Sequence, residues 1–205
     1  MTPASLVFTT DRLVLRPLEK DDQCALMLAA GSRSVSDTMV SIPHPLTFEL
    51  AERWIDREQF ALLAGTSVAL TVREWQRSSI LGMVTVRSID LVHSRAELSF
   101  WLTEDARGKG YAVEACGILV RHAHTALHLN RIEAYHMVRN PASGRVLARL
   151  GFRCEGTLRA RVVKHGVPED VHVWARLRDD STASSESPAR APGRHSSAPR
   201  MQLKR

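Results

Sequence analysis

The sequence is poor in cysteine. Cys24, Cys116 and Cys154 are odd in number and far apart along the 205 residues. No C-x-x-C pair occurs, which excludes a disulfide framework and a zinc ribbon and points to a reduced, cytoplasmic setting. Long apolar runs are also missing: none approaches the ~20 residues that cross a bilayer. The opening Met1-Thr-Pro-Ala-Ser-Leu-Val-Phe8 lacks a basic stretch followed by an apolar one, so no secretory leader is expected. Aromatic residues make up only 5% of the chain and the net charge is a moderate +6, part of it in the last segment. That combination is weak for nucleic-acid binding, which needs a basic stripe interleaved with aromatics. It suits a polyanionic small ligand, with nucleic-acid contact limited to a weak one through the tail.

What is present is an ordinary globular balance, 44% hydrophobic and 24% charged. A single domain is expected over residues 1–178. Residues 179–205 are dominated by Ser, Ala, Pro and Arg without apolar periodicity, and read as a disordered basic tail. In the body, strands are expected over residues 13–16, 67–73, 80–87, 97–102, 132–138, 152–155 and 171–177, and helices over residues 21–30 and 48–64. A helix also follows residue 110, where Ala112, Ala115, Leu119, Val120, Ala123 and Leu127 recur at helical spacing. Asn140-Pro141 opens another, with Asn suited to cap free N–H groups and Pro suited to the first turn. Gly151 would supply its C-terminal turn.

Between the strand at 97–102 and the helix lies Arg107-Gly108-Lys109-Gly110-Tyr111-Ala112. Two glycines inside a helix would cost roughly 1 kcal/mol each relative to alanine, so they form a turn. A strand, a glycine-rich turn and a helix make an anion site, because the helix N-terminus offers unpaired N–H groups and partial positive charge. A Walker A loop and a dinucleotide fingerprint are both excluded by the residue order.

The six residues match R-x-x-G-x-A and resemble the pyrophosphate-binding motif of the GNAT N-acetyltransferase superfamily. Other segments resemble its ribosomal-protein-alanine acetyltransferase branch: residues 10–18, Ala96-Glu-Leu-Ser-Phe-Trp-Leu102, Asn140-Pro-Ala-Ser143, Leu150-Gly-Phe152, Glu155-Gly-Thr-Leu-Arg159 and Asp170. The resemblance implies an α/β fold of the α+β kind: a mixed, twisted, mostly antiparallel sheet of about seven strands flanked by about four helices, splayed between its central strands. It implies acetyl-coenzyme A as cosubstrate, with Arg107, Gly108, Lys109, Gly110, Tyr111, Ala112, Asn140 and Ser143 binding it and no metal required. The partners are that carrier and an amine acceptor, and the chain is expected as a monomer or a homodimer.

Acyl transfer to nitrogen needs a neutral amine, orientation, an oxyanion donor and a proton for the leaving thiolate. An α-amine with a pKa near ~7.7–8 loses its proton far more easily than a lysine near ~10.4. By the resemblance Glu97 is the candidate base, through a water, and Ser143 the candidate acid. Glu155 and Asp170 stand in reserve. In the ribosomal-protein enzymes a carboxylate beyond the E-G pair acts as base; Val162 falls at that position here, which leaves base and acceptor open. The first-choice acceptor is a protein N-terminal α-amine, the second a small amine such as an aminoglycoside, polyamine or amino acid. A non-catalytic acyl-coenzyme A-binding module is the alternative outside catalysis. His122, His124 and His128 read as a polar helix face rather than a metal clamp, and Cys116 as packing. Trp54, Trp75, Trp101 and Trp174 read as core or rim, with Trp54 and Phe60 as possible walls of an acceptor pocket.

Overall fold

A computed structural model describes residues 6–75, 77 and 79–181. Among the described residues eight strands form one sheet in the order β1-β2-β3-β4-β5-β6-β8-β7. They are β1 Phe8–Thr9, β2 Leu13–Pro17, β3 Ser67–Glu74, β4 Gly82–Asp90, β5 Arg95–Leu102, β6 Arg131–Met137, β7 Arg153–Lys164 and β8 Val167–Leu177. Among the described residues the α-helices are α1 Gln23–Ala30, α2 Arg33–Ser36, α3 Phe48–Leu63, α4 Tyr111–Thr125 and α5 Pro141–Arg149. None is long and apolar enough to cross a membrane.

Strand alternation decides which side chains meet which helices. On β5, Ala96 and Leu98 join Val84, Val86, Ile132 and Ala134 in a core closed by Ala115, Leu119 and Val120 of α4. Trp101 points the other way, with Met83 and Ala69, against Leu26 of α1 and Ile55 of α3. β3 is therefore covered on both faces, and all its residues but the last are buried. Thr47 caps α3, its hydroxyl accepting from the Leu50 N–H at 3.3 Å. One buried charge cluster ties β2, β3 and the turn before α1 together: Asp22 accepts from Arg16 at 2.8 and 2.9 Å and from Arg73 at 2.6 Å.

The architecture is the expected mixed one, with more strands and helices than the sequence suggested. The two-residue β1 and the four-residue α2 are too short for periodicity to register. β7 and β8 extend well past residues 152–155 and 171–177, because nearly all of β7 is exposed and alternation carries no apolar signal there. At the C-terminal boundary, Arg178–Ser181 forms a 3-10 turn. Asp180 accepts from the Leu177 N–H at 2.8 Å and pairs with Arg153 at 3.1 Å, which holds the turn to the sheet. The rest of the expected tail, residues 182–205, lies outside the described residues.

Candidate active site

β5 and β6 are the sheet's parallel pair, and they are joined only from Arg95 opposite Arg131 to Leu98 opposite Ala134. Beyond that point they part. β5 stays paired with β4 as far as Leu102, and β6 with β8 as far as Met137. The fork leaves the inner main-chain edge of residues 99–102 without a strand partner in β6. Two cavities open along it. One of about 380 Å³ is lined by Arg107, Gly108, Gly110 and Ala112 on one side and by Asn140, Ser143, Arg145 and Arg149 on the other. The second, of about 340 Å³, is lined by Arg87, Glu97, Ser99, Tyr135, Arg161 and Val162. Thr38, Met39, Phe100, Asn140 and Ser143 line both.

The glycine loop sits at the mouth of α4. Gly108 and Gly110 have φ of 76° and 82°, the left-handed region that a side chain disfavours. A Cβ on Gly108 would meet nothing within 4 Å, so the space above the loop is open. Gly110 precedes the first turn of α4, whose N–H groups face that space with the helix dipole behind them. The loop is braced from below. Arg12 pairs with Glu114, donates to the Lys109 carbonyl at 3.0 Å and lies 4.9 Å over the Tyr111 ring.

Three loop residues also make contacts within the protein. The Arg107 guanidinium donates to the carbonyls of Leu102 and Ser34 at 3.2 and 2.9 Å, fastening the loop to α2. Lys109 contributes its carbonyl to the Arg12 brace and is not among the cavity-lining residues. The Tyr111 side chain is buried in the core and its hydroxyl donates to Glu74 at 2.6 Å. Arg145 and Arg149, one turn apart on α5, line the same cavity with Arg107. Their i,i+4 spacing was visible in the sequence, but nothing local says which face of α5 meets the loop.

Asn140 and Ser143 meet at the junction of the two cavities. Pro141 opens α5 as expected, but Asn140 makes no side-chain cap. Its amide donates instead to the Ser143 hydroxyl oxygen at 3.0 Å. With that lone pair occupied, the Ser143 O–H is left to donate elsewhere. Beneath them His136 is buried, its Nδ1 2.9 Å from the Met137 carbonyl and its Nε2 without a partner. A Cβ on Gly144 would come within 2.9 Å of that Nε2, so glycine lets α5 settle onto the ring. Burial lowers the His136 pKa and so favours the neutral ring.

Glu97 is the carboxylate lining the second cavity, and it is paired across the strands with Arg87, whose Nε lies 3.1 Å from it. The reserve carboxylates stand elsewhere. Glu155 is exposed on Arg131, at 2.9 Å in one of its two contacts, and the guanidinium holds its pKa low. Asp170 accepts from the Ala160 N–H at 2.8 Å on the β7–β8 hairpin. Neither lines the cavity.

A further cavity of about 380 Å³ continues outward past Trp54, Arg57, Glu58, Thr85 and Trp101. Trp54 thus lines this cavity, whereas Phe60 is 73% exposed and does not. Trp75 is on the surface, its indole donating to the Thr10 carbonyl at 2.8 Å. The histidines do not converge: α4 ends at Thr125, His124 is buried with Nδ1 2.9 Å from the Leu129 carbonyl, and His128 lies beyond the helix at φ 54°. Among the described residues no group of three or more His, Cys, Asp or Glu could hold a metal. Cys116 is fully buried, which raises its thiol pKa far from reactivity.

Comparison with known proteins agrees with this geometry. The family described as Acetyltransferase (GNAT) domain matches residues 12–153. The chain is 31% identical over 122 residues to a putative ribosomal N-acetyltransferase, YdaF of Bacillus subtilis, covering 60% of this chain and 64% of the relative. It is 24% identical over 160 residues to spermidine N(1)-acetyltransferase of Vibrio cholerae, covering 78% of this chain and 90% of the relative. A solved structure of RimL, a ribosomal L7/L12 α-N-protein acetyltransferase in complex with coenzyme A, superposes with a TM-score of 0.77 at 19% identity, over 85% of this chain and 99% of that one. At that identity the superposition speaks for the fold alone.

Proposed function

The chain belongs to the GNAT acetyltransferase family, and from that premise we propose that it transfers an acetyl group from acetyl-coenzyme A to the α-amine of a protein N-terminus, by direct attack in a ternary complex. The observation that carries this reading is the meeting of two cavities at the fork of β5 and β6, with Asn140 and Ser143 in the wall of both. One cavity has the features a diphosphate needs: left-handed glycines, the mouth of α4, and Arg145 and Arg149. The other admits an amine.

The α4 amides hold the diphosphate, and the pantetheine arm runs toward the fork. A main-chain N–H on the unpaired edge of β5 stabilises the oxyanion. Glu97, oriented by its pairing with Arg87, takes the amine's proton through a water. The Ser143 O–H donates to the departing thiolate while Asn140 fixes the oxygen.

A small amine is the second reading, favoured by the likeness to a spermidine acetyltransferase. The deciding experiment is a thiol-release assay with acetyl-coenzyme A against N-terminal peptides, spermidine and aminoglycosides, followed by mass spectrometry of the product. Release with peptides and acetyl on the α-nitrogen supports the proposal. Release with spermidine alone favours the second reading. Carrier binding without release from any amine means a non-catalytic module and overturns both.

A further inference from the structure

We propose that Arg161 selects acceptors that carry a carboxylate close to the reacting amine. This rests on the amine-acetylation reading above and narrows its acceptor.

The first observation is a strained insert in the β7–β8 hairpin. Leu158 lies opposite Val171 and Val162 opposite Glu169, so Arg159, Ala160 and Arg161 face the single residue Asp170. Ala160 has φ of 47°, left-handed backbone that a residue with a Cβ disfavours. The Asp170 carboxylate accepts the Ala160 N–H at 2.8 Å and holds the insert. Bulges of this kind beside a site re-aim the side chains that follow them. Those side chains are Arg161 and Val162, and both line the inner acceptor cavity beside Tyr135 and Glu97.

The second observation is the charge balance. The inner cavity is lined by Arg87, Arg161 and Glu97, and Glu97 is taken by Arg87. The outer cavity adds Arg57 and Glu58, and Glu58 accepts from the Trp54 indole at 3.1 Å and pairs with Arg57 at 3.2 Å. Among the described residues no carboxylate lies within ion-pair distance of Arg161. The acceptor side thus holds carboxylates already occupied and one unbalanced guanidinium. A polyamine, whose second ammonium must find a carboxylate, is repelled. A carboxylate a few bonds from the amine meets a planar fork of donors that matches it.

Two sources supply that chemistry: an acidic side chain among the first residues of a peptide, or the α-carboxylate of a free amino acid. The test measures thiol release by the full chain with matched peptides beginning Ser-Asp, Ser-Ala and Ser-Lys, with free aspartate, and with spermidine. The native protein is expected to favour the Ser-Asp over the Ser-Ala peptide by about tenfold in kcat/KM, carried in KM. Arg161→Gln should bring that ratio to about one, and Arg161→Glu should invert it toward Ser-Lys. Asp170→Asn, which weakens the hold on Ala160 and so the aim of Arg161, should reduce the ratio although the arginine itself is kept. If free aspartate outperforms the peptides, the carboxylate belongs to an amino acid and Arg161 keeps its role. A preference for Ser-Ala or spermidine in the native protein, or one for Ser-Asp that survives Arg161→Gln, overturns the proposal and leaves the acetylation reading intact. Release from no acceptor overturns both.

Discussion

At the scale of single residues, the hydrogen bond from Asn140 to Ser143 is the contact with the most direct chemical content. It occupies a lone pair on the Ser143 oxygen and frees the proton. Ser143→Ala should lower the rate of thiol release by about 10²-fold, within the range for removing a general acid. Stopped-flow release at saturating carrier and acceptor measures this, and an unchanged rate reduces Ser143 to a wall residue. Glu97→Gln should cost more turnover at pH 7 than at pH 9, since alkali supplies the neutral amine unaided. A pH-rate profile of the variant reads the difference. The glycines of the loop were legible in the sequence because their left-handed backbone is a local property. The direction of the Arg107 side chain was not: its partners are the carbonyls of Leu102 and Ser34, and the second belongs to a helix too short to foresee.

At the scale of elements, the loop and α4 act as one unit, tied to the turn before β2 by Arg12 and to β3 by the Tyr111 hydroxyl. Gly110→Asp places a negative charge and a side chain at φ 82° beside the helix mouth. Carrier affinity should fall by at least about tenfold by calorimetry, a loss of about 1.4 kcal/mol. Retained affinity would remove the loop from the carrier site. Periodicity located α3, α4, α5 and the central strands because each has a buried face. It shortened β7 and β8 because their outer halves leave the core, and with them it missed the bulge at Ala160. A strand exposed on both faces carries no burial pattern to read.

At the scale of the whole molecule, stability should fall in acid in two stages. His122, His124 and His136 have pKa values lowered chiefly by burial. In the unfolded chain they titrate near ~6.5, so below that pH the unfolded state binds protons that the folded state refuses. Their stabilisation is therefore complete above ~6.5 and is lost as pH falls through the lowered folded values. Asp22 adds a later stage. Burial pushes its pKa up, but the Arg16 and Glu19 hydrogen bonds and the Arg73 charge outweigh it and leave a net lowering. Its contribution is present above an unfolded value near ~3.9 and is lost below it. Urea melts at pH 7.5, 5.5 and 3.5 should show midpoints falling at each step. Asp22→Asn should lower stability by about 3 kcal/mol at pH 7, because two guanidiniums lose the carboxylate between them. Family and sheet were legible at this scale, since ordered motifs run along the chain. The chamber proposed for the acceptor was not, because Thr38, Arg87 and the adjacent Arg161 and Val162 come from three distant segments that only the fold brings together.

The segment around Thr38 and Met39 has one more consequence. It walls both chambers and is clamped from β7 and from the turn after β6: Lys164 donates to the Met39 carbonyl at 2.9 Å and Arg139 to that of Asp37 at 2.8 Å. Two tenants leaning on one partition cannot be indifferent to each other. If the carrier's arrival shifts that partition so that the acceptor is held more tightly, the acceptor must tighten the carrier's hold by the same factor.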